Sequence, residues 1–190
     1  MNAAFIQTVS GRYLNVLDPR PEDIDIVDIA HHLAHICRFC GACRQFYSEA
    51  EHAVRLAEIL PGRLQLAGLL SGAAKAYCGE VVRAERYDVA PCRNRLAAAV
   101  EARFELELNG EDRAELALAE ARLLATERRD LMPPDRQEWP ILAGIQPLQE
   151  RIWPMPISQA LARFCEQYEQ ALRWPQPSRI QLRRDGLVGT

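Results

Sequence analysis

The sequence predicts an all-α domain preceded by a short extended arm or hairpin, on three observations. Apolar residues recur at helical spacing through most of the chain, proline and glycine signals punctuate those stretches, and only the segment before Asp18 reads as extended chain around a turn. A chain of 190 residues, 48% hydrophobic and 26% charged, holds one compact domain with a proper core and is cramped for two.

The elements follow in order. Residues 5–9 and 12–17 flank Ser10-Gly11 and form the arm or hairpin. Asp18-Pro-Arg-Pro21 breaks the chain, and Glu22, Asp23 and Asp25 supply the acidic start of a first helix. Its apolar face carries Ile26, Ile29, Leu33 and Cys37, and it ends near Arg38 to Gly41. Ser48-Glu-Ala-Glu51 is a capping box for a second helix to about Leu60, with His52 in its first turn. A third helix covers 66–80, closing near Gly79. Gly68 and Gly72, one turn apart inside it, each cost roughly 1 kcal/mol against alanine unless a close approach offsets them.

Pro91 opens a fourth helix through Leu106, and Asn109-Gly110 is the next break. Residues 111–129 make a long fifth helix, stopped by Pro133-Pro134. The proline- and tryptophan-rich 139–156 segment is expected as an ordered surface loop, after which Ser158 caps a last helix. Residues 1–174 thus form one domain, and 175–190, without apolar period and with three arginines, a flexible tail.

A formal net charge of −3 with scattered basic residues gives no footprint of a general nucleic-acid or membrane binder. No charged start precedes an apolar run, so no signal peptide is expected, and no apolar run is long enough to span a bilayer. The six cysteines read as reduced thiols in a cytoplasmic protein.

Taken together, DPRPEDIDIVDIAHHLAHICRF, RQFYSEAEHAVRLA, LAGLLSGAAKAYCGE, ARLLATERRDLM and WPILAGI make the chain resemble, from roughly Phe5 to Leu172, the HD-domain phosphohydrolase superfamily. The resemblance is to its bacterial and phage branch, close to the 5′-deoxynucleotidases. It implies an HD-domain-like helical bundle, a homodimer, and a site where histidines and aspartates from three helices hold a divalent metal that activates water against a phosphate ester. His52 matches the family's first histidine, while Ser71 and Gly72 stand where the His-Asp pair belongs and Glu120 replaces the final Asp. The family's proton-transfer carboxylate corresponds to Lys75 and its substrate-side carboxylate to Glu80. Arg38-Phe39 match its substrate-contacting Arg-aromatic pair.

His52 and Glu120 leave at most two good metal ligands, and Ser71 adds only a weak hydroxyl. An ammonium at Lys75 would repel a divalent cation by several kcal/mol at about 4 Å for an effective dielectric of about 20. No cofactor is therefore expected. Lys75 and Arg38 are instead candidates to hold a phosphate-bearing nucleotide without hydrolysing it, against the plainer reading that Lys75 reaches solvent or pairs with Glu80.

Other groupings have bland readings. Cys37, Cys40 and Cys43 have the C-x2-C-x2-C form of a cluster or zinc motif but lack a fourth cysteine at the expected spacing. His31 and His35, one turn apart, suit weak metal binding or helix packing. Ser71 and Lys75 are spaced as a serine-lysine nucleophile without an evident oxyanion hole. Glu127 with Arg128-Arg129 reads as helix-surface charge pairs.

Three functional readings remain. The first is a degenerate HD-domain protein, a pseudoenzyme that binds a nucleotide or protein partner. The second is an active nucleotide phosphohydrolase with a metal site rearranged around His52, Glu80 and Glu120. The third is a structural interaction protein with a closed site.

Overall fold

The computed structural model describes residues 4–79, 89–134 and 137–174. Glu80 and the expected tail lie outside the described residues. Two short strands, β1 (Phe5–Gln7) and β2 (Tyr13–Asn15), pair antiparallel with Ile6 opposite Leu14. Gly11 takes φ 83 in the turn between them, a left-handed conformation that glycine adopts without penalty. Among the described residues seven α-helices follow: α1 (Ile26–His35), α2 (Glu49–Glu58), α3 (Gly62–Leu70), α4 (Lys75–Cys78), α5 (Val89–Arg103), α6 (Gly110–Leu131) and α7 (Ile157–Arg173). The architecture is all-α with an N-terminal hairpin. Among the described residues, no helix is long and apolar enough to cross a membrane.

The hairpin is tied to α1 by side chains. Asp28 is fully buried and accepts from both the backbone N–H and the hydroxyl of Ser10, at 2.8 and 2.9 Å. α2 lies centrally, against α1, α3 and α7. The larger core runs from Leu14 and Val16 under the hairpin through Leu33, Leu69 and Phe164, and a second cluster around Tyr47, Leu56 and Leu123 packs α2 against α6.

Several boundaries differ from expectation, each for a local reason. α1 stops at His35, so Cys37 is not on its apolar face. It pairs instead with Ser48 as an isolated antiparallel bridge. Between them the chain turns tightly through Phe39 and Cys40, both with left-handed φ (53 and 52). The expected single helix over 66–80 is broken. Ser71 to Ala74 keep to a tight turn in which Ala73 bonds Leu70 and Lys75 bonds Gly72, an i→i+3 pattern between α3 and α4.

The two glycines there have different causes. A Cβ on Gly68 would come to 2.3 Å from Leu60 Cδ1 and 3.5 Å from the Ala57 Cα, so that glycine lets α3 close on α2. At Gly72 the nearest contact would be Lys75 Nζ at 3.8 Å, and no close approach requires it.

Elsewhere, α5 ends at Arg103 rather than Leu106. α6 starts at a full capping box between Asn109 and Asp112, where the sequence suggested only a break. At α2 half of the expected box forms: Ser48 caps the Glu51 N–H, but Glu51 turns inward to Arg55 and the Met155 N–H. α7 is preceded by Pro156, with Ser158 inside its first turn and not at the cap. The 139–156 segment is an ordered loop, as expected. Thr126 Oγ1 accepts from the Leu148 N–H and Asp130 from the Ile152 N–H, at 2.8 and 2.9 Å.

Candidate functional site

Five charged or titratable side chains from four parts of the fold meet in one network around Glu49 and Glu127. Arg38 comes from the 3-10 turn after α1, Glu49 and His52 from one face of α2, Lys75 from α4 and Glu127 from α6. The Arg38 guanidinium donates to Glu49 Oε2 at 2.9 Å and to Glu127 Oε2 at 2.8 Å. Lys75 Nζ donates to the same Glu49 oxygen at 2.8 Å. His52 Nδ1 lies 2.6 Å from Glu127 Oε1, and a carboxylate can only accept, so Nδ1 carries the proton of that bond.

The network is buried except at one end. Glu127 is 0% exposed and His52 2%, while the Lys75 side chain is 38% exposed. Two carboxylates face two cations before any proton on His52 is counted, so the charges balance, although the buried Arg38 Nε has no hydrogen-bond partner among the described residues. Burial by itself favours neutral Glu127, but His52 and then Arg38 outweigh it and hold its pKa below the usual value. Burial likewise opposes ionised Glu49, and Arg38 followed by Lys75 brings its pKa down. For Arg38, burial opposes the charge, and Glu127 and Glu49 together raise its pKa. Tyr47, fully buried beside them, has its hydroxyl pushed well above its ordinary range by burial first and by Glu127 second.

Glu127 is the largest correction to the sequence reading. It is not a surface pair with its neighbouring arginines but the centre of the buried network. Glu120, expected as the residual ligand, is exposed two turns earlier on α6. The first half of α6 contributes no buried residue, and burial begins at Leu123. Ser71 is exposed, and Lys75 pairs with Glu49.

A divalent metal does not fit this set. His52 held by a carboxylate through Nδ1 is how a metal-ligating imidazole is commonly oriented. The remaining positions nonetheless offer an exposed serine, a glycine, a distant glutamate and an ammonium. Among the described residues, no three His, Cys, Asp or Glu side chains are grouped so as to hold a metal ion.

Phe39 lies under Arg38, with the guanidinium carbon 5.0 Å from the ring centroid, and its ring is 6.2 Å from that of Trp139. The left-handed backbone at Phe39 turns the ring back under Arg38. His31, His32 and His35 line a cavity with Lys75, apart from His52. His31 and His35 stack at 4.2 Å, and His32 bonds the Ala76 carbonyl at 2.8 Å. With Gln7, Lys75 and Tyr77 they line a cavity of about 420 Å³. Burial, then His35 and His32, lower the pKa of His31. All six cysteines are free, and Cys43 Sγ donates weakly to the Arg38 carbonyl at 3.8 Å.

Sequence reasoning missed Glu49, Tyr47 and Trp139. Only Glu49 left a signal, because it lies one turn before His52 and three residues on a helix return to the same face.

No protein-family model matches the chain. It is 37% identical over 119 residues, 56% of its length, to the Uncharacterized protein RCAP_rcc00048 of Rhodobacter capsulatus, of which that match covers 61%. To the Uncharacterized protein YfdR of Escherichia coli (strain K12) it is 33% identical over 168 residues, covering 87% of this chain and 94% of YfdR. At that identity and coverage, the chain belongs to the family of YfdR.

Proposed function

We propose that this chain is a non-hydrolytic relative of the HD-domain phosphohydrolases, a pseudoenzyme that binds a phosphate-bearing nucleotide where Lys75 reaches the surface. The observation that carries the reading is the buried network itself. Arg38 and Lys75 supply fixed positive charge in the network that includes His52, and Glu49 and Glu127 neutralise it. Such a site has no bound water of lowered pKa to attack a phosphate ester.

Arg38 cannot reach a ligand without breaking two buried ion pairs, so recognition falls to Lys75 and the histidine-lined cavity beside it. A phosphate there would compete with Glu49 for the ammonium. The resemblance adds a homodimer, and six unpaired thiols suit a reducing, cytoplasmic setting.

The test is elemental analysis of protein purified without a metal-affinity tag, together with phosphate release from deoxynucleotides with added Mn²⁺, Co²⁺ or Mg²⁺. No turnover is expected. Stoichiometric metal with turnover that disappears in His52→Ala would overturn the reading in favour of an active phosphohydrolase. Calorimetric titration with nucleotides should show binding that Lys75→Ala weakens. Absence of binding would leave a structural protein with a closed site, and affinity unchanged by that substitution would overturn the assignment of recognition to Lys75.

A further inference from the structure

The tip of the hairpin is held to α1 by three hydrogen bonds, and every acceptor in them is a side chain that a proton can silence. Ser10 gives Asp28 both its N–H and its hydroxyl, at 2.8 and 2.9 Å, and the Val9 N–H donates to His32 Nε2 at 3.2 Å. Arg12, past the turn, adds an ion pair with Asp25 at 3.5 Å. Val9, Ser10 and Gly11 are exposed, so these bonds and not burial fix the tip.

His32 can play its part in one protonation state only. The Ala76 carbonyl, 2.8 Å from Nδ1, can only accept, so Nδ1 carries a proton. The Val9 N–H can only donate, so Nε2 must hold a lone pair. A neutral imidazole satisfies both. An imidazolium sets its Nε2–H against the Val9 N–H and loses that bond, and the ring cannot turn away without giving up Ala76 as well.

The groups around His32 among the described residues come from the same three elements. On α1, Asp28 lies one turn earlier and favours a proton on the ring, whereas His31, with its ring 6.0 Å away, disfavours one once it is itself charged. His35 stacks on His31. On α4, Lys75 is paired with Glu49, and Tyr77 gives its hydroxyl to the Asp25 carbonyl. Burial first, then His35 and His32, hold the pKa of His31 below its ordinary 6.5, so the stability it contributes is present above pH 6.5 and is lost as pH falls through the lowered value.

From this we infer that His32 is a pH-sensitive pin: uptake of one proton at Nε2 releases the hairpin tip from α1 and loosens the wall that Ile6 and Gln7 give the histidine-lined cavity. Imidazole is the side chain that ordinarily changes charge between about pH 5 and 8, which sets the working range just to the acid side of neutrality. The inference concerns the wall of the cavity, goes beyond the nucleotide reading and does not depend on what the cavity holds.

The experiment is amide hydrogen exchange of the full chain without nucleotide at about pH 7.5 and about pH 5.5, one unit either side of an ordinary histidine pKa of ~6.5, with rates corrected for intrinsic pH dependence. The readout is the Val9 and Ser10 N–H groups. Ser10 bonds Asp28 and not His32, so its loss of protection reports release of the tip and not of the Val9 bond alone. If a protonated His32 cannot dock, protection of both should fall by about tenfold at the lower pH. His32→Gln, which cannot titrate, should show no such fall. Ser10→Ala, at an exposed position, lacks the hydroxyl bond to Asp28 and should start less protected yet fall by the same factor. The inference is overturned if the Ser10 amide of the wild type is indifferent to pH, if His32→Gln falls as far as wild type, or if amides of α2 and α7 fall in parallel. It is overturned equally if the fall disappears in Ser10→Ala, a comparison that decides the matter should His32→Gln not fold.

Discussion

Replacing Glu127 with glutamine keeps the side-chain volume and removes one charge at the centre of the network. Its carboxylate receives two charge-assisted hydrogen bonds, 2.8 Å from Arg38 and 2.6 Å from His52, each worth about 1.5–3 kcal/mol. The amide oxygen can keep one of them, and its NH₂ would then face a second donor. Arg38 retains Glu49, but shares it with Lys75. The expected loss is therefore about 3–4 kcal/mol, within the ~3–5 kcal/mol typical when one partner of a buried pair is removed. At ~2–4 °C per kcal/mol for a chain of this size, that is about 10 °C in Tm. Urea denaturation followed by circular dichroism, with m compared between variants, measures it directly. A loss below ~1 kcal/mol would mean that the pairs behave like solvent-exposed ones, and the reasoning would fail. Glu120→Gln is the matched control and should stay within ~0.5 kcal/mol of wild type.

The remaining predictions concern acid, glycine and backbone strain. Glu49 and Glu127 have pKa values below their ordinary 4.5, so just below that pH the unfolded chain binds more protons than the native one. Their contribution is fully present above pH 4.5 and is lost as pH falls through the depressed values. Denaturation across acid pH should show this slope, shallower in Glu127→Gln; identical slopes would refute it. Gly68→Ala should destabilise by about 1–3 kcal/mol through overpacking against Leu60. Gly72→Ala, whose methyl would meet only Lys75 Nζ at ordinary contact distance, should stabilise by up to ~1 kcal/mol. Thermal melts of the two read out opposite signs. Cys40→Gly should stabilise by about 0.5–1 kcal/mol by relieving a left-handed backbone at an exposed position, measured by the midpoint of urea unfolding.

The all-α class and the order of helices were legible because each helix carries an apolar period and a start or stop signal. Ser48 before α2 and the Pro133-Pro134 stop after α6 are examples. The break between α3 and α4 was not, since Gly72 is only a weak helix former set among helix-favouring alanines and leucines. It consists of tightened hydrogen bonding around Gly72. Arg38, His52 and Lys75 could be picked out as site residues, and the fold does bring them together. Glu127 was beyond sequence reasoning for a geometric reason. Glu120 lies seven residues earlier, and seven residues on a helix return to nearly the same face, so periodicity cannot choose between them. What decides is how far α6 projects past its neighbours, a property of the assembled bundle.

The network has a kinetic consequence. Arg38 and Glu127 are 89 residues apart in the chain, and His52 and Glu127 are 75 apart. Glu127 gains its two partners only once α6 has docked against α2 and the turn after α1 and water is excluded, and each charge must give up its hydration first. Contacts of such sequence separation carry a large loop-closure cost before they contribute, and on that argument they are expected to form after the barrier. Weakening them should accelerate unfolding while leaving the refolding rate nearly unchanged. The ion pairs at the heart of this protein thus act less as a guide to its fold than as a latch, closed last and setting how long the folded state persists.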